Sequence, residues 1–147
     1  MIEVATKEDL PEMMELMKQF HKESAFARYA PNIQKTHAWL ENQMDHGVIF
    51  CSRKAGKIDG FIGVTMRSHH MVDVTYGSEG PFYVDTSQRQ GFKAVRLIKA
   101  AQAWTREMGG EYFQINATAG IQLDNIGKLC AALGGVQIGA IWSFDNV

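Results

Sequence analysis

Residues 79–110 read EGPFYVDTSQRQGFKAVRLIKAAQAWTREMGG, a strand end, a donor-rich turn and a long helix in immediate succession. Gly80 and Pro81 argue against a regular ladder, because proline has no N–H to donate and glycine marks bulges. The aromatic and β-branched run Phe82-Tyr83-Val84 suits a strand end. Asp85-Thr86-Ser87 then supplies turn and cap oxygens, and from about Gln88 the pattern is helical. Ala94, Leu97, Ile98, Ala101, Thr105 and Met108 share one arc at 3.6 residues per turn, a core-facing stripe. Arg89, Lys93 and Arg96 share another, with Lys99 and Arg106 beside it. A helix start carries unpaired N–H groups and the positive end of the macrodipole, so cations there cost roughly 0.3–1 kcal/mol each. Cations that weaken the helix by itself fit a site for an anion such as a phosphate; a solvated basic face is the alternative.

Working outward, the chain has 147 residues, 46% hydrophobic and 21% charged, which fits one globular domain with a proper core. A net charge of −1 offers no general attraction to nucleic acid. Cys51 and Cys130 have no metal spacing, and reduced thiols are the default for such a pair. With no apolar leader and no run of ~20 apolar residues, the expectation is a cytoplasmic protein without a membrane span.

The elements follow from periodicity. Ile2 to Ala5 is a short strand, and Thr6 with Asp9 has capping-box spacing ahead of a helical stripe of Leu10, Met13, Met14, Met17 and Phe20. A loop carrying Phe26, Arg28, Tyr29 and Pro31 leads to a second helix from Ile33 to about Met44. Val48 to Ser52 and Ile58 to Arg67 form a hairpin, and Met71 to Tyr76 begins the fourth strand. His69 and His70 lie in the turn between, without a third metal ligand at useful spacing. Tyr112 to Asn116 is the fifth strand and Asn125 to Leu133 the last helix, closed by Gly134-Gly135. Val136, Ile138, Ala140, Trp142 and Phe144 alternate with Gln137, Gly139, Ile141 and Ser143, which predicts a final strand. The expected architecture is an α/β domain with a mixed, mostly antiparallel sheet of about six strands and four helices.

This order, and the central stretch, resemble the GCN5-related N-acetyltransferase (GNAT) family. The fourth strand of that family ends in a phrase like L-Y-V-D-P and enters Q/R-x-x-G-x-G/A. Phe82 to Thr86 matches the first phrase, and Arg89-Gln90-Gly91-Phe92-Lys93-Ala94 the second, with Phe92 at the inner glycine place. The resemblance covers nearly the whole chain and implies a seventh strand, which has no counterpart here. A partner subunit covering that edge would make a homodimer.

The resemblance implies transfer of an acetyl or short acyl group from acetyl-CoA to a primary amine. It implies that the cofactor is held by the N–H groups of Gln88 to Ala94 with Arg89 and Lys93, by the splayed backbone at Phe82, Tyr83 and Val84, and by Asn125 and Lys128. Glu79, ten residues before Arg89, stands near the general-base glutamate of many relatives. A desolvated carboxyl there would have the raised pKa that a base for an amine needs; a plain surface carboxylate is the alternative. The family phrase N-x-x-A-x-x-L-Y puts a tyrosine acid in the last helix, where this chain has Cys130. A thiol can donate a proton, and a buried inert cysteine is the other reading. Tyr83 substitutes only if its hydroxyl faces the cleft. Phe26, Arg28, Tyr29, His69 and Trp142 are candidates for the acceptor side. A catalytically impaired CoA-binding or protein-interaction module and a nucleotide-binding regulator are the competing readings.

Overall fold

The computed structural model describes residues 1–89 and 91–145; Gln90 and residues 146–147 lie outside the described residues. Four antiparallel strands form a meander, β1 (Ile2–Val4), β2 (Gly47–Lys54), β3 (Lys57–Ser68) and β4 (Thr75–Val84), and β5 (Phe113–Gln114) adds in parallel beside β4. Helices α1 (Leu10–Glu23) and α2 (Ile33–His46) cover one face. Helices α3 (Lys93–Glu107) and α4 (Leu123–Ala132) lie on the other. Among the described residues, no helix is long and apolar enough to cross a membrane.

Each face has its own core. On the first, the methionine stripe of α1 does what its spacing predicts: Met13, Met14 and Met17 are buried with Leu40 of α2 against Ile49 and Phe61. The helix is preceded by one 3-10 turn in which the Asp9 carboxylate accepts the Thr6 N–H at 2.8 Å. On the second face Leu97, Ile98 and Ala101 of α3 bury against Ile62, Val64 and Val84. Helix α4 and its C-cap contribute only the partly buried Leu129 and Leu133 to that cluster.

Two bulges decide where polar groups point. Between β2 and β3, Ser52 pairs with Gly60 and Arg53 with Ile58, which leaves Asp59 as the extra residue. Between β3 and β4, Ile62 pairs with Phe82 and Val64 with Glu79, so Gly63 alone opposes Gly80 and Pro81. The glycine–proline pair therefore sits inside β4 as a bulge, as its chemistry suggested. The space over Gly63 and Gly80 is filled by Gln43 of α2: a Cβ on Gly80 would lie 2.6 Å from Gln43 Oε1, and one on Gly63 2.8 Å from Gln43 Cγ.

Four expectations are corrected. The sheet has five strands, not about six. Residues 136–144 form no strand, and Val136, Ile138, Trp142 and Phe144 are 77–82% exposed. Their alternation is strand-like, but a strand exists only against a partner edge, and the arm meets none among the described residues. Helix α3 starts at Lys93 rather than near Gln88. Thr86–Gln88 instead form a separate 3-10 turn closed by the Gln88 N–H on the Asp85 carbonyl at 2.8 Å. Met108, beyond the helix end, is exposed and leaves the predicted stripe.

Candidate functional site

β4 is ten residues long and β5 two, and their pairing is confined to Gly77 with Phe113 and Ser78 with Gln114. From Glu79 onward the β5 side of β4 has no strand beside it among the described residues. Asn116 bridges the point of parting: its N–H donates to Glu79 Oε2 at 3.1 Å, and its Nδ2 donates to the Glu79 carbonyl at 3.1 Å and to Ser78 Oγ at 3.0 Å. This is the splay expected between the fourth and fifth strands.

Glu79 sits at the mouth of that gap. Burial pushes its carboxyl up to about 8, against the Asn116 N–H, which pulls it down. No cation is paired with it among the described residues. Cys130 of α4 is half-buried; burial pushes its thiol up, and the Glu79 charge adds to the rise. The two residues named for proton transfer therefore lie within electrostatic reach of each other. Gln43, on the opposite face of the bulge, is buried with its Nε2 unpaired among the described residues. An amide donor held dry without an acceptor is costly and marks a place for a polar group.

The bulge also sorts the side chains of β4. In a regular strand residues four apart share a face. Here Glu79 is directed to the α3 and α4 side, opposite Val64, while Tyr83, opposite Phe61, packs with α1. Tyr83 is 3% exposed, its ring edge-on to Phe20, and its hydroxyl donates to Glu23 of α1. Burial, then the Glu23 hydrogen bond and charge, push the phenol to about 12. Its hydroxyl does not face the gap, so Tyr83 is no substitute for the missing helix tyrosine.

The loop that follows is held by carboxylates. Arg89 donates to the Val84 carbonyl through Nε at 2.8 Å and forks onto Glu23 at 2.6 and 3.0 Å, with its guanidinium over the Tyr83 ring. Burial raises the Glu23 carboxyl, but the Arg89 and Tyr83 hydrogen bonds outweigh it and hold the group below its ordinary value. Lys93 pairs with Asp59, the bulge residue, which also accepts Ser52 Oγ at 2.7 Å. The two cations expected to meet a phosphate are thus already neutralised inside the protein. Lys93, Ala94 and Val95 carry the first-turn N–H groups that have no intrahelical acceptor. Arg96 stands exposed one turn on, without a carboxylate partner among the described residues. Gly91 and Phe92 are exposed at the helix entrance, Phe92 at 73%.

The structure brings together Glu79, Cys130 and the backbone of Phe82 to Val84, with Arg89, Lys93 and Ala94 at the end of β4. Asn125 and Lys128 are exposed on α4, where Asn125 bonds only its neighbour Gln122 among the described residues. Phe26 and Tyr29 line an apolar groove of about 400 Å³ with Met17, Phe20, Ile33 and Trp39. Arg28 instead forks onto Asp145 at 2.7 and 3.2 Å. His69 is at the opposite end of β4 from the Arg89 loop, stacked on His70 and edge-on to Tyr76, and Trp142 is on the exposed arm. Neither joins the group around Glu79. Glu23, Gln43, Asp59 and Asn116 went unmarked in the sequence, although an acid in an apolar hairpin strand, as Asp59 is, signals a buried pair.

No family model and no curated protein matches this sequence. The fold does match. AAC(6')-Iy, solved with the bisubstrate analog CoA-S-monomethyl-acetylneamine, superposes with a TM-score of 0.77 at 20% identity, covering 100% of this chain and 97% of that one. The aminoglycoside 6'-N-acetyltransferase AAC(6')-IG of Acinetobacter haemolyticus gives 0.75 at 15%, covering 100% and 98%. A ribosomal-protein-alanine N-acetyltransferase of Brucella melitensis biovar Abortus 2308 gives 0.71 at 18%, covering 100% and 98%. The chain has the α/β fold of the GNAT acetyltransferases over its full length.

Proposed function

We propose that this protein is an acyl-CoA-dependent N-acyltransferase acting on a primary amine. The observation that carries the reading is Glu79, a carboxyl raised to about 8 at the point where β4 loses its neighbour. An amine with a pKa near 10 is mostly protonated at pH 7 and cannot attack. A carboxylate that binds its proton near 8 is a far better match for that amine than an exposed one near 4.

The residues present fit a CoA thioester: a bare strand edge for an amide-bearing arm, and a helix start with free N–H groups for phosphates. Acetyl-CoA would supply an activated acyl carbon and a thiol leaving group. The Phe82 to Val84 backbone would hold its arm, and Lys93, Ala94 and Arg96 its phosphates. Glu79 takes the proton from the amine, and Asn116 fixes the carboxylate that does so. Cys130, at the place of the family's tyrosine and within reach of the Glu79 charge, is the candidate to return a proton.

Thermal shift with CoA and acetyl-CoA tests binding, with stabilisation by both expected and none at millimolar ligand refuting it. Thiol release with a panel of amines then tests chemistry, including aminoglycosides and alanine-terminated peptides because structurally similar enzymes carry those names. A CoA-binding module without catalysis is the second reading, favoured by the inward Tyr83 hydroxyl and by Arg89 and Lys93 already being paired. Stabilisation by CoA with no thiol release across the panel would select it.

A further inference from the structure

We propose that Arg28 is the receptor for a carboxylate on the acceptor amine, and that the chain's own Asp145 fills that place until the acceptor arrives. The inference rests on the acyltransferase reading above and names the class of substrate: an amine that also carries an acid. Arg28 is in the loop after α1 and forks onto Asp145, with Nη2 to Oδ1 at 2.7 Å and Nη1 to Oδ2 at 3.2 Å. Two parallel N–H···O bonds are the arrangement in which a guanidinium reads a whole carboxylate rather than one oxygen. The Arg28 Cζ lies 4.9 Å from the centre of the Tyr29 ring, which steadies the planar head without using its donors.

Asp145 is a weakly held occupant. The two side chains are 58% and 62% exposed, and a pair as open as this is worth little. The arm leading to Asp145, residues 136–144, has no backbone–backbone hydrogen bond among the described residues. The other cations near the gap are held more firmly. Arg89 is clamped between Glu23 and the Val84 carbonyl, and Lys93 sits on the buried Asp59. Arg28 is the one whose partner can leave without uncovering a buried charge.

The Arg28 loop is tied to the residue that fixes Glu79. The Ala25 N–H donates to the Ala119 carbonyl at 2.8 Å, and a Cβ on Gly120 would meet the Ala25 Cβ at 2.9 Å. Asn116, three residues before Ala119, donates to Glu79. The legs from Asn116 to Ala119 and from Ala25 to Arg28 each span at most about 11 Å. Turns closed by Ala27 on Ser24 and by Tyr29 on Phe26 shorten the second. An acceptor that reaches both groups has its amine and its acid several bonds apart. The groove lined by Phe26 and Tyr29 has Lys18 (paired with Glu15), His21 and Lys35 as its titratable side chains and no acid, so the local field also favours an anion.

NMR titration of the full chain with ω-amino carboxylates of four, six and eight carbons, each against the alkylamine of equal length, tests this. The best acid should bind at least tenfold tighter than its amine, and Asp145→Asn should tighten it further by removing the internal competitor. Arg28→Gln should weaken the acid about 10–100-fold, the worth of a charge-assisted fork, and leave the alkylamine unmoved. With acetyl-CoA present, the same substitutions should move KM for the acid in the same directions with little change in kcat. Both side chains are exposed, so far-UV circular dichroism should not change in either variant. Acids that bind no better than the amines, or that keep their affinity in Arg28→Gln, overturn the proposal. An Asp145→Asn chain that binds the acid no tighter than wild type overturns the part given to Asp145. Binding with the expected pattern but without thiol release would keep the carboxylate site and discard the acyltransferase reading. Thiol release from alkylamines with no preference for the acid would do the reverse.

Discussion

Residues 1–108 and 109–145 are built to different standards. Every buried residue lies between Ala5 and Thr105, while no described residue from 109 onward is buried. The first part closes two cores on one sheet; the second lays a two-residue strand, a helix without a buried residue and an exposed arm against the outer side. The groups of the proposed site divide along the same line. Glu79, the loop at Arg89 and the start of α3 stand on the firm part, whereas Cys130, Asn125 and Lys128 stand on the loose one. Holding a cofactor and a base requires fixed geometry. A helix that packs this lightly can shift without disturbing them.

The largest expected effect tests whether the chemistry belongs to the firm part. Glu79→Gln should lower thiol release about 10²–10⁴-fold at neutral pH, the usual worth of a general base, and wild-type activity should climb to a plateau above about pH 8. A variant with undiminished rate would remove Glu79 from the mechanism. Next comes a paired truncation. Leu97→Ala should cost about 2–5 kcal/mol in denaturant unfolding because Leu97 is fully buried, and Leu133→Ala less than about 1 because it is only half-covered. Equal losses would abolish the distinction between the two parts.

Asp59→Asn leaves Lys93 facing a neutral partner at the start of α3 and should cost about 1–3 kcal/mol, discounted because the lysine is partly exposed. Glu79 also makes stability depend on pH. Its folded pKa is above its unfolded one, so the folded state binds more protons between about 4.5 and 8, and stability falls as pH rises through that window. Glu79→Gln should therefore melt higher than wild type above pH 8, by an amount on the order of 1–3 kcal/mol, and the gap should close below the ordinary carboxylate range. The smallest effect belongs to the loose part. Cys130→Ser should slow thiol release less than tenfold, since a thiolate leaving group with a pKa near 8.5 needs little help. A loss of a hundredfold would give α4 a larger share of the chemistry than its packing suggests.

Local rules carried the reading where neighbours in sequence decide the outcome. The stripes of α1 and α3, the hairpin and the break at Gly80-Pro81 follow from periodicity and from what proline and glycine allow. Glu79 is marked by the family resemblance, ten residues before Arg89, and local rules supply only the bulge beside it. The partners are not marked. Glu23 is 66 residues from Arg89, Asp59 is 34 from Lys93 and Asn116 is 37 from Glu79, distances that only the folded sheet closes. The basic arc of α3 was visible, but its neutralisation by those acids was not. Periodicity likewise found the strand character of 136–144 and had no means of saying what it pairs with. Residue type alone suggests His69 for the acceptor side, while counting along β4 puts it at the far end of the strand from Arg89.

One extra residue opposite Gly63 has a consequence that is a matter of phase. Along β4 the bulge shifts the alternation by half a period, so a single backbone addresses both sides of the sheet from positions that would otherwise share one. A regular strand through the same residues, with Pro81 to Val84 held in place, would set Glu79 opposite Thr65 and turn it from the α3 side toward α2 and Gln43; deleting Gly80 would remove the extra residue and leave Glu79 opposite Val64 on the α3 side. The face that Glu79 takes is therefore written less in its own codon than in the bulge of the strand that carries it.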